Sequence, residues 1–140
     1  METPKAYLSF DYEHNSKEKK QFVEQSKTCR EPFIIEYESS EPTLPTVQWD
    51  NVVSDKINYS NMLIVLVGKK TGSTASVARE IAEANSLNIP VFGIYIEGTD
   101  TETELPHGLE RSRTIQQDWN KIADKIQEVM KEGKNELLWS

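Results

Sequence analysis

The fold is decided by the stretch Asn61 to Ala84, NMLIVLVGKKTGSTASVAREIAEA. It opens with six consecutive apolar residues, Met62 to Val67, which are closed by Gly68. A short run without alternation is typical of a strand buried on both faces, as in parallel sheets. A helix should follow after a short loop, with Ser73 or Thr74 as its N-cap. The stretch therefore predicts a central strand and the helix that returns along it.

Glu80 occupies a distinctive place on this predicted helix. Val77, Ile81 and Ala84 recur at helical spacing and form one apolar stripe, while Arg79 falls on the far side. Glu80 lies at the edge of the stripe, where a carboxylate can reach toward the carboxyl end of the sheet, the usual place for sites in open α/β folds. The alternative is a boundary glutamate that is salt-bridged or simply solvated.

The rest of the chain alternates predicted strands and helices. The other strands are expected at 5–10, 33–37, 91–96 and 112–116. The other helices are expected from Asn15 or Ser16 to about Thr28, with Glu18 completing a capping box, then at about 48–59 and at 119–132, the last one capped by Asp118. Inward-facing positions on these last two helices are Trp49, Val52, Val53, Ile57, Ile122, Ala123, Ile126, Val129 and Met130.

This order of elements predicts a flavodoxin-like α/β fold. Right-handed crossovers give three layers, with a parallel sheet of strand order 2-1-3-4-5 and helices on both of its faces. The topological switch point then lies between the first and third strands. The loops at 10–15 and 68–73 should therefore meet there and line any site.

Composition indicates one globular domain. The 140 residues are 36% hydrophobic and 28% charged, which fits a single domain over 1–140 with tails at 1–4 and 134–140. No apolar run approaches the roughly 20 residues that cross a bilayer, and the N-terminus lacks the plan of a secretory signal. The lone Cys29 excludes an intramolecular disulfide and fits a cytoplasmic protein. A net charge of −7 argues against a nucleic-acid partner.

Several familiar site motifs are incomplete. Gly68-Lys-Lys-Thr-Gly-Ser73 lacks P-loop spacing, although the N–H groups at the start of the following helix could hold an anion; a simple strand-to-helix turn is the alternative. Asp11 and Glu13 follow the first strand as in phospho-receiver domains, but the other receiver residues are not evident. His14 and His107 are isolated, so no metal site is predicted. The absence of a G-x-S-x-G elbow argues against a serine hydrolase.

Four stretches together resemble a known family. They are Lys5-Ala-Tyr-Leu-Ser-Phe-Asp-Tyr12, Leu63-Ile-Val-Leu-Val-Gly-Lys69, Ser76-Val-Ala-Arg-Glu-Ile81 and Pro90-Val-Phe-Gly-Ile-Tyr95. At their mutual spacing they resemble TIR-like domains of the small stand-alone prokaryotic type, which includes the ThsB proteins of Thoeris anti-phage defence. The resemblance extends from residue 5 to about residue 130.

The resemblance implies a set of site residues. In enzymatic TIR domains, a glutamate on the helix after the third strand acts in cleaving NAD at the nicotinamide–ribose bond, and that glutamate matches Glu80. Residues at the positions of Phe10, Asp11 and Tyr12 pack on the nicotinamide end. Further residues expected to line the pocket are Ser9, Trp49, Asp50, Ser73, Thr74 and Ser76. NAD is then a substrate, and neither a cofactor nor a metal is expected.

One position departs from the family pattern. Ser76 stands where many members have a tryptophan, four residues before the glutamate. Either the pocket wall is rebuilt, for example by Trp49, Tyr12 or a neighbouring subunit, or the site is altered or inactive.

Three functions follow as alternatives. The first is an NAD-cleaving enzyme whose linear or cyclic ADP-ribose product signals to a partner effector protein. The second is a non-catalytic interaction module that self-associates through the loop Glu38 to Val47. The third is a plain flavodoxin-like nucleotide-binding or receiver domain.

Overall fold

The computed structural model describes residues 3–39 and 46–138, and for residues 46–49, 137 and 138 it describes the backbone alone. The strands are β1 (Lys5–Ser9), β2 (Ile34–Glu38), β3 (Met62–Val67), β4 (Val91–Tyr95) and β5 (Thr114–Gln116). They form one sheet in the order β2-β1-β3-β4-β5, and every pair is parallel. The predicted α/β class and strand order are confirmed.

Helices cover both faces of this sheet, as predicted. The helices are α1 (Tyr12–Ser26), α2 (Thr46–Asn58), α3 (Ala75–Ser86) and α4 (Trp119–Val129). Helices α1 and α4 pack on one face, through Phe22 and Ile126 among others, and α2 and α3 pack on the opposite face, through Ile57 and Ile81. All six residues of β3 are buried because the strand lies between these two apolar layers.

Helix α1 begins earlier than predicted. Its N-cap is Asp11, in extended conformation directly after β1, and the Asp11 carboxylate accepts the backbone N–H of His14 at 3.3 Å. Asn15 has φ −121° and ψ 21°, so it is a kink inside the helix and not its cap. The predicted capping box survives as a side-chain contact, in which Asn15 Nδ2 donates to Glu18 Oε1 at 2.8 Å.

Two further predictions need correction. Val52 was expected to face inward, but it is 40% exposed, whereas Val53 and Ile57 on the same helix are buried. Strand β5 spans Thr114–Gln116, because residues 111–113 form a 3-10 turn before it.

Residues 133–138 were assigned largely to a tail, yet they form a 3-10 helix packed on the domain. Gly133 has φ 56°, and a Cβ there would overlap the carbonyl oxygen of Asn88. Asn135 is fully buried, and its Nδ2 donates to the carbonyl oxygens of Asn61 at 2.7 Å and Val129 at 3.0 Å. The last two residues of the predicted tail, 139 and 140, lie outside the described residues. None of the described helices has the length and apolarity that crossing a bilayer demands.

Candidate active site

Glu80 is buried in the second turn of α3, with 2% of its surface exposed. Its carboxylate accepts three hydroxyl hydrogen bonds. Tyr7 donates to Oε2, while Ser9 and Ser39 donate to Oε1 at 2.7 Å and 2.6 Å. Among the contacts of the described residues, no lysine or arginine pairs with this carboxylate. Glu80 is therefore neither the salt-bridged nor the solvated boundary residue of the alternative interpretation.

The hydroxyls come from two neighbouring strands. Tyr7 and Ser9 are two residues apart on β1, so they point to the same face of the sheet, the one that α2 and α3 cover. Ser39 follows β2; its backbone N–H donates to the carbonyl of Leu8 at 2.9 Å, and its Oγ accepts the N–H of Phe10 at 3.1 Å. The network therefore sits at the carboxyl ends of β1 and β2, the edge where open α/β sheets bind ligands.

Burial dominates the electrostatics of this network. It raises the pKa of the Glu80 carboxyl above its usual range, against the hydrogen bonds from Ser39, Tyr7 and Ser9, which act to lower it. The pKa of Tyr7 is also raised, first by burial and then by the neighbouring Glu80 charge. Tyr7 therefore stays a neutral donor at physiological pH, whereas Glu80 is the group whose charge state can change.

The structure separates Phe10 and Asp11 from Glu80. Phe10 is buried in the apolar core under α1, on the opposite face of the sheet from Glu80. The Asp11 carboxylate caps α1 and contacts His14 Nδ1 at 2.8 Å. Tyr12 is 43% exposed, with its ring centroid 6.3 Å from that of Phe10. Tyr12 is therefore the aromatic residue of this segment that remains open to a ligand.

Three of the other predicted lining residues, Ser73, Thr74 and Ser76, lie at the start of α3. Ser73 and Thr74 both turn their hydroxyls onto the carbonyl of Lys70, at 3.1 Å and 3.0 Å. Thr74 occupies the N-cap position of α3, as predicted, but makes no side-chain capping bond. Ser76 is half-buried on the first turn. The side chain of Trp49 lies outside the described residues.

Asp50 belongs to a separate surface feature. It pairs with Arg79 and lines a cavity of about 330 Å³ between α2 and α3. A second cavity, of about 440 Å³, is lined by Asn88, Val91 and Glu132 among others. Glu80 lines neither of these two cavities. Among the predicted lining residues whose side chains the structure describes, Ser9 is the one that hydrogen-bonds to the Glu80 carboxylate.

The two switch-point loops meet, as predicted. Asn15 is fully buried and packs so closely on Gly68 that a Cβ there would overlap Asn15 Oδ1, an atom with no hydrogen-bond partner. Asn15 Nδ2 and the backbone N–H of Lys69 both donate to Glu97 Oε1, at 2.9 Å and 3.1 Å. These contacts, led by Asn15, lower the pKa of Glu97. In this loop, the N–H of Lys69 therefore binds the protein's own carboxylate, whereas the anion site predicted at the start of α3 stays a prediction.

Sequence reasoning missed Tyr7 and Ser39. The signal for Tyr7 is its spacing of two residues from Ser9, which puts both on one face of β1. The signal for Ser39 is weaker, because its contact with Glu80 depends on the pairing of β1 with β2. Within the described ranges, no group of three His, Cys, Asp or Glu residues is arranged to hold a metal ion.

The sequence comparison identifies a family, and the structural comparison supports the fold. The sequence profile for "Thoeris protein ThsB, TIR-like domain" matches residues 7–101. A metazoan TIR-STING receptor from C. gigas is 17% identical, with a TM-score of 0.59 over 86% of this chain. This chain spans 39% of that receptor's length. A prokaryotic SEFIR domain is 15% identical, with a TM-score of 0.50 over 99% of this chain and 94% of its own. At these identities the two structures support the fold alone. No curated protein matches the sequence.

Proposed function

Since the chain belongs to the TIR-like domain family of the Thoeris protein ThsB, we propose that it cleaves NAD at the nicotinamide–ribose bond. The products are nicotinamide and an ADP-ribose derivative, linear or cyclic, that signals to an effector protein in anti-phage defence. Glu80 is the catalytic residue. The observation that supports this role is a buried carboxylate, held by three hydroxyls, at the ligand-binding edge of the sheet.

The chemistry needs a carboxylate of this kind. The nicotinamide of NAD is cationic and leaves as a neutral ring, so no proton donor is required to expel it. The ribose becomes oxocarbenium-like, as in glycoside cleavage. A fixed negative charge in surroundings of low dielectric stabilises that developing positive charge far more than it would in water. Because only the ionised carboxylate does so, activity should rise with pH through the raised pKa of Glu80.

Access to Glu80 follows from the chemistry of its partners. Ribose hydroxyls are donors of the same kind as the hydroxyls of Ser9 and Ser39, so a bound ribose can replace them at Oε1 without leaving the carboxylate unpaired. Tyr12, exposed beside the same edge, supplies the ring that covers the nicotinamide end. Phe10 contributes to folding, because its ring is buried in the core under α1.

Nicotinamide release from NAD tests the proposal. Glu80→Gln keeps the shape of the side chain and removes its charge, so we expect release to fall at least about 100-fold. Glu83→Gln is the matched control: it makes the same change about one turn further along α3, where Glu83 accepts the hydroxyl of Ser54 at 2.7 Å. It should keep wild-type activity. Release that survives Glu80→Gln in a folded protein would remove Glu80 from the mechanism.

A second function is favoured by the closure of the site. Glu80 is 2% exposed, with all three hydroxyls directed at it, as in a domain that works by association alone. The loop predicted to pair with like domains includes residues 40–45, which lie outside the described residues. Self-association without nicotinamide release, measured by sedimentation and by turnover at high protein concentration or after forced oligomerisation, would favour this interaction module.

A further inference from the structure

Tyr7 stands out because it is a phenol buried in a core of aliphatic side chains. It is 1% exposed and packs with Val53, Ile57 and Leu63 under α2 and α3. Its hydroxyl donates to Glu80 Oε2. A phenylalanine would fill the same space without the cost of burying a hydroxyl, so the hydroxyl is retained for its contact with Glu80.

The two carboxylate oxygens have different surroundings. Oε2 is held by Tyr7, whose hydroxyl sits at the end of a rigid ring fixed in the core. Oε1 is held by the hydroxyls of Ser9, at the last position of β1, and Ser39, just beyond β2. A serine hydroxyl is carried on a single rotatable bond, so it can turn aside when a ribose hydroxyl takes its place at Oε1, whereas the tyrosine ring cannot leave its packing. The carboxylate is therefore fixed at Oε2 and exchangeable at Oε1.

From this asymmetry, we infer that Tyr7 is a positioning residue: it anchors Glu80 through Oε2 and thereby makes Oε1 the oxygen that meets the ribose. The inference rests on the proposed function for its reaction, and on the contacts of Glu80 alone for its geometry. Tyr7 touches no substrate atom in this arrangement and acts through Glu80.

The same contact governs the charge of Glu80. The hydrogen bond from Tyr7 lowers the pKa of Glu80, against the larger effect of burial. Among the described side chains, the other groups that hydrogen-bond to the carboxylate are the neutral hydroxyls of Ser9 and Ser39. Glu38, at the end of β2, acts on Tyr7, raising its pKa, and is itself paired with Lys19 at 2.8 Å. Loss of the Tyr7 hydroxyl should therefore raise the pKa of Glu80 further.

The first test is the pH profile of nicotinamide release by Tyr7→Phe. We expect kcat near neutral pH to fall about tenfold to 100-fold with little change in KM. The rising limb of the profile should move to higher pH, so that part of the activity returns there. Tyr37→Phe is the matched control, because Tyr37 pairs with Tyr7 in the register of β1 and β2 and packs against the same core. It should leave the limb in place.

The second test needs no turnover. Infrared difference spectra of protein labelled with ¹³C-glutamate follow the ionisation of Glu80, which is identified by its loss in Glu80→Gln. The Glu80 transition should move to higher pH in Tyr7→Phe. Replacing Tyr7 with a fluorotyrosine keeps the ring and makes the hydroxyl a stronger donor, so the transition should move to lower pH. This variant also serves if Tyr7→Phe folds poorly.

These measurements separate the two claims. A wild-type protein that releases no nicotinamide contradicts the proposed function, while the infrared transition still decides whether Tyr7 controls Glu80. Unchanged Glu80 transitions in both Tyr7 variants would overturn the inference. The inference would also be overturned if Tyr7→Phe released nicotinamide more slowly at every pH while the rising limb of its pH profile stayed in place. That result would mean that Tyr7 has a purely structural role.

Discussion

The two faces of the sheet bury different kinds of side chain. The face under α1 and α4 holds a wholly apolar cluster, centred on residues such as Leu8, Phe22 and Ile126. The face under α2 and α3 is apolar too, but it also buries Tyr7 and Glu80. A buried carboxylate costs stability even when it is hydrogen-bonded. The other buried carboxylate, Asp11, caps α1, whereas Glu80 caps no helix and is held by side-chain hydroxyls. Under the proposed function, the face with Glu80 carries the chemistry and the other face holds the domain together.

The sharpest way to test this division is to open a cavity on the apolar face. Phe22 is fully buried and stacks at 5.0 Å, between ring centroids, on Trp119 of α4. We expect Phe22→Ala to lower the free energy of unfolding by about 3–5 kcal/mol, measured by urea denaturation. Below its melting temperature, the variant should keep the nicotinamide release of the wild type. A loss of activity in the folded variant would contradict the assignment of stability to one face and chemistry to the other.

The contact between Asn15 and Gly68 at the switch point should contribute less to the free energy of unfolding. In Gly68→Ala the new methyl group overlaps Asn15 Oδ1, so we expect a loss of about 1–3 kcal/mol of unfolding free energy. Asn15→Ala removes the Oδ1 atom that the new methyl group would overlap. In the double variant, the loss should therefore be smaller than the sum of the two single losses by about 0.5–3 kcal/mol. Strict additivity in this cycle would mean that the two residues do not touch.

The pH dependence of stability should expose the cost of Glu80. Because burial raises its folded-state pKa above the unfolded value, the folded protein holds its proton more tightly than the unfolded chain does. Stability should therefore fall as pH rises from the unfolded pKa to the raised folded one, by at most about 1.4 kcal/mol per pH unit from this group. Glu80→Gln should remove that fall and be relatively more stable at higher pH. Parallel profiles for the two proteins would contradict the predicted shift.

The smallest change in stability is expected at the N-caps of two helices, one on each face of the sheet. Asp118 caps α4 by accepting the N–H groups of Asn120 and Lys121, at 2.9 Å and 3.2 Å. Thr74, at the start of α3, makes no such bond. We expect Asp118→Ala to cost about 1 kcal/mol and Thr74→Ala clearly less, by thermal or urea unfolding. Equal losses would show that the cap contributes nothing specific to α4.

Most of the fold could be predicted because its signals are local. The apolar run of β3 and the helical spacing of Val77, Ile81 and Ala84 stand in short windows of sequence, and the structure buries them as expected. The start of α1 was misplaced because Asn15 and Asp11 are both good caps. In the structure Asp11 accepts the N–H of His14, while Asn15 is packed on Gly68, a contact between distant parts of the chain.

The candidate site was less predictable, because its contacts join distant parts of the chain. Helical spacing could place Glu80 at the edge of a stripe, but not name its partners. Ser39 reaches it only through the pairing of β1 with β2, which the sequence does not encode locally. The burial of Phe10 under α1 likewise depends on which face of β1 each side chain takes, a choice that the family resemblance left open.

The spacing of Tyr7 and Ser9 on β1 should also favour the native register of this strand against β3. If β1 slipped by one residue against β3, Ala6 and Leu8 would come to lie beneath Glu80, and the buried carboxylate would lose the hydroxyls of Tyr7 and Ser9. The misaligned structure would thus be less stable than the native one, because Glu80 would lose hydrogen bonds that it makes in the native register. The contacts of Glu80 with Tyr7 and Ser9 should therefore favour the native register, and replacing these residues with apolar ones should make the strand alignment less specific even where it stabilises the fold.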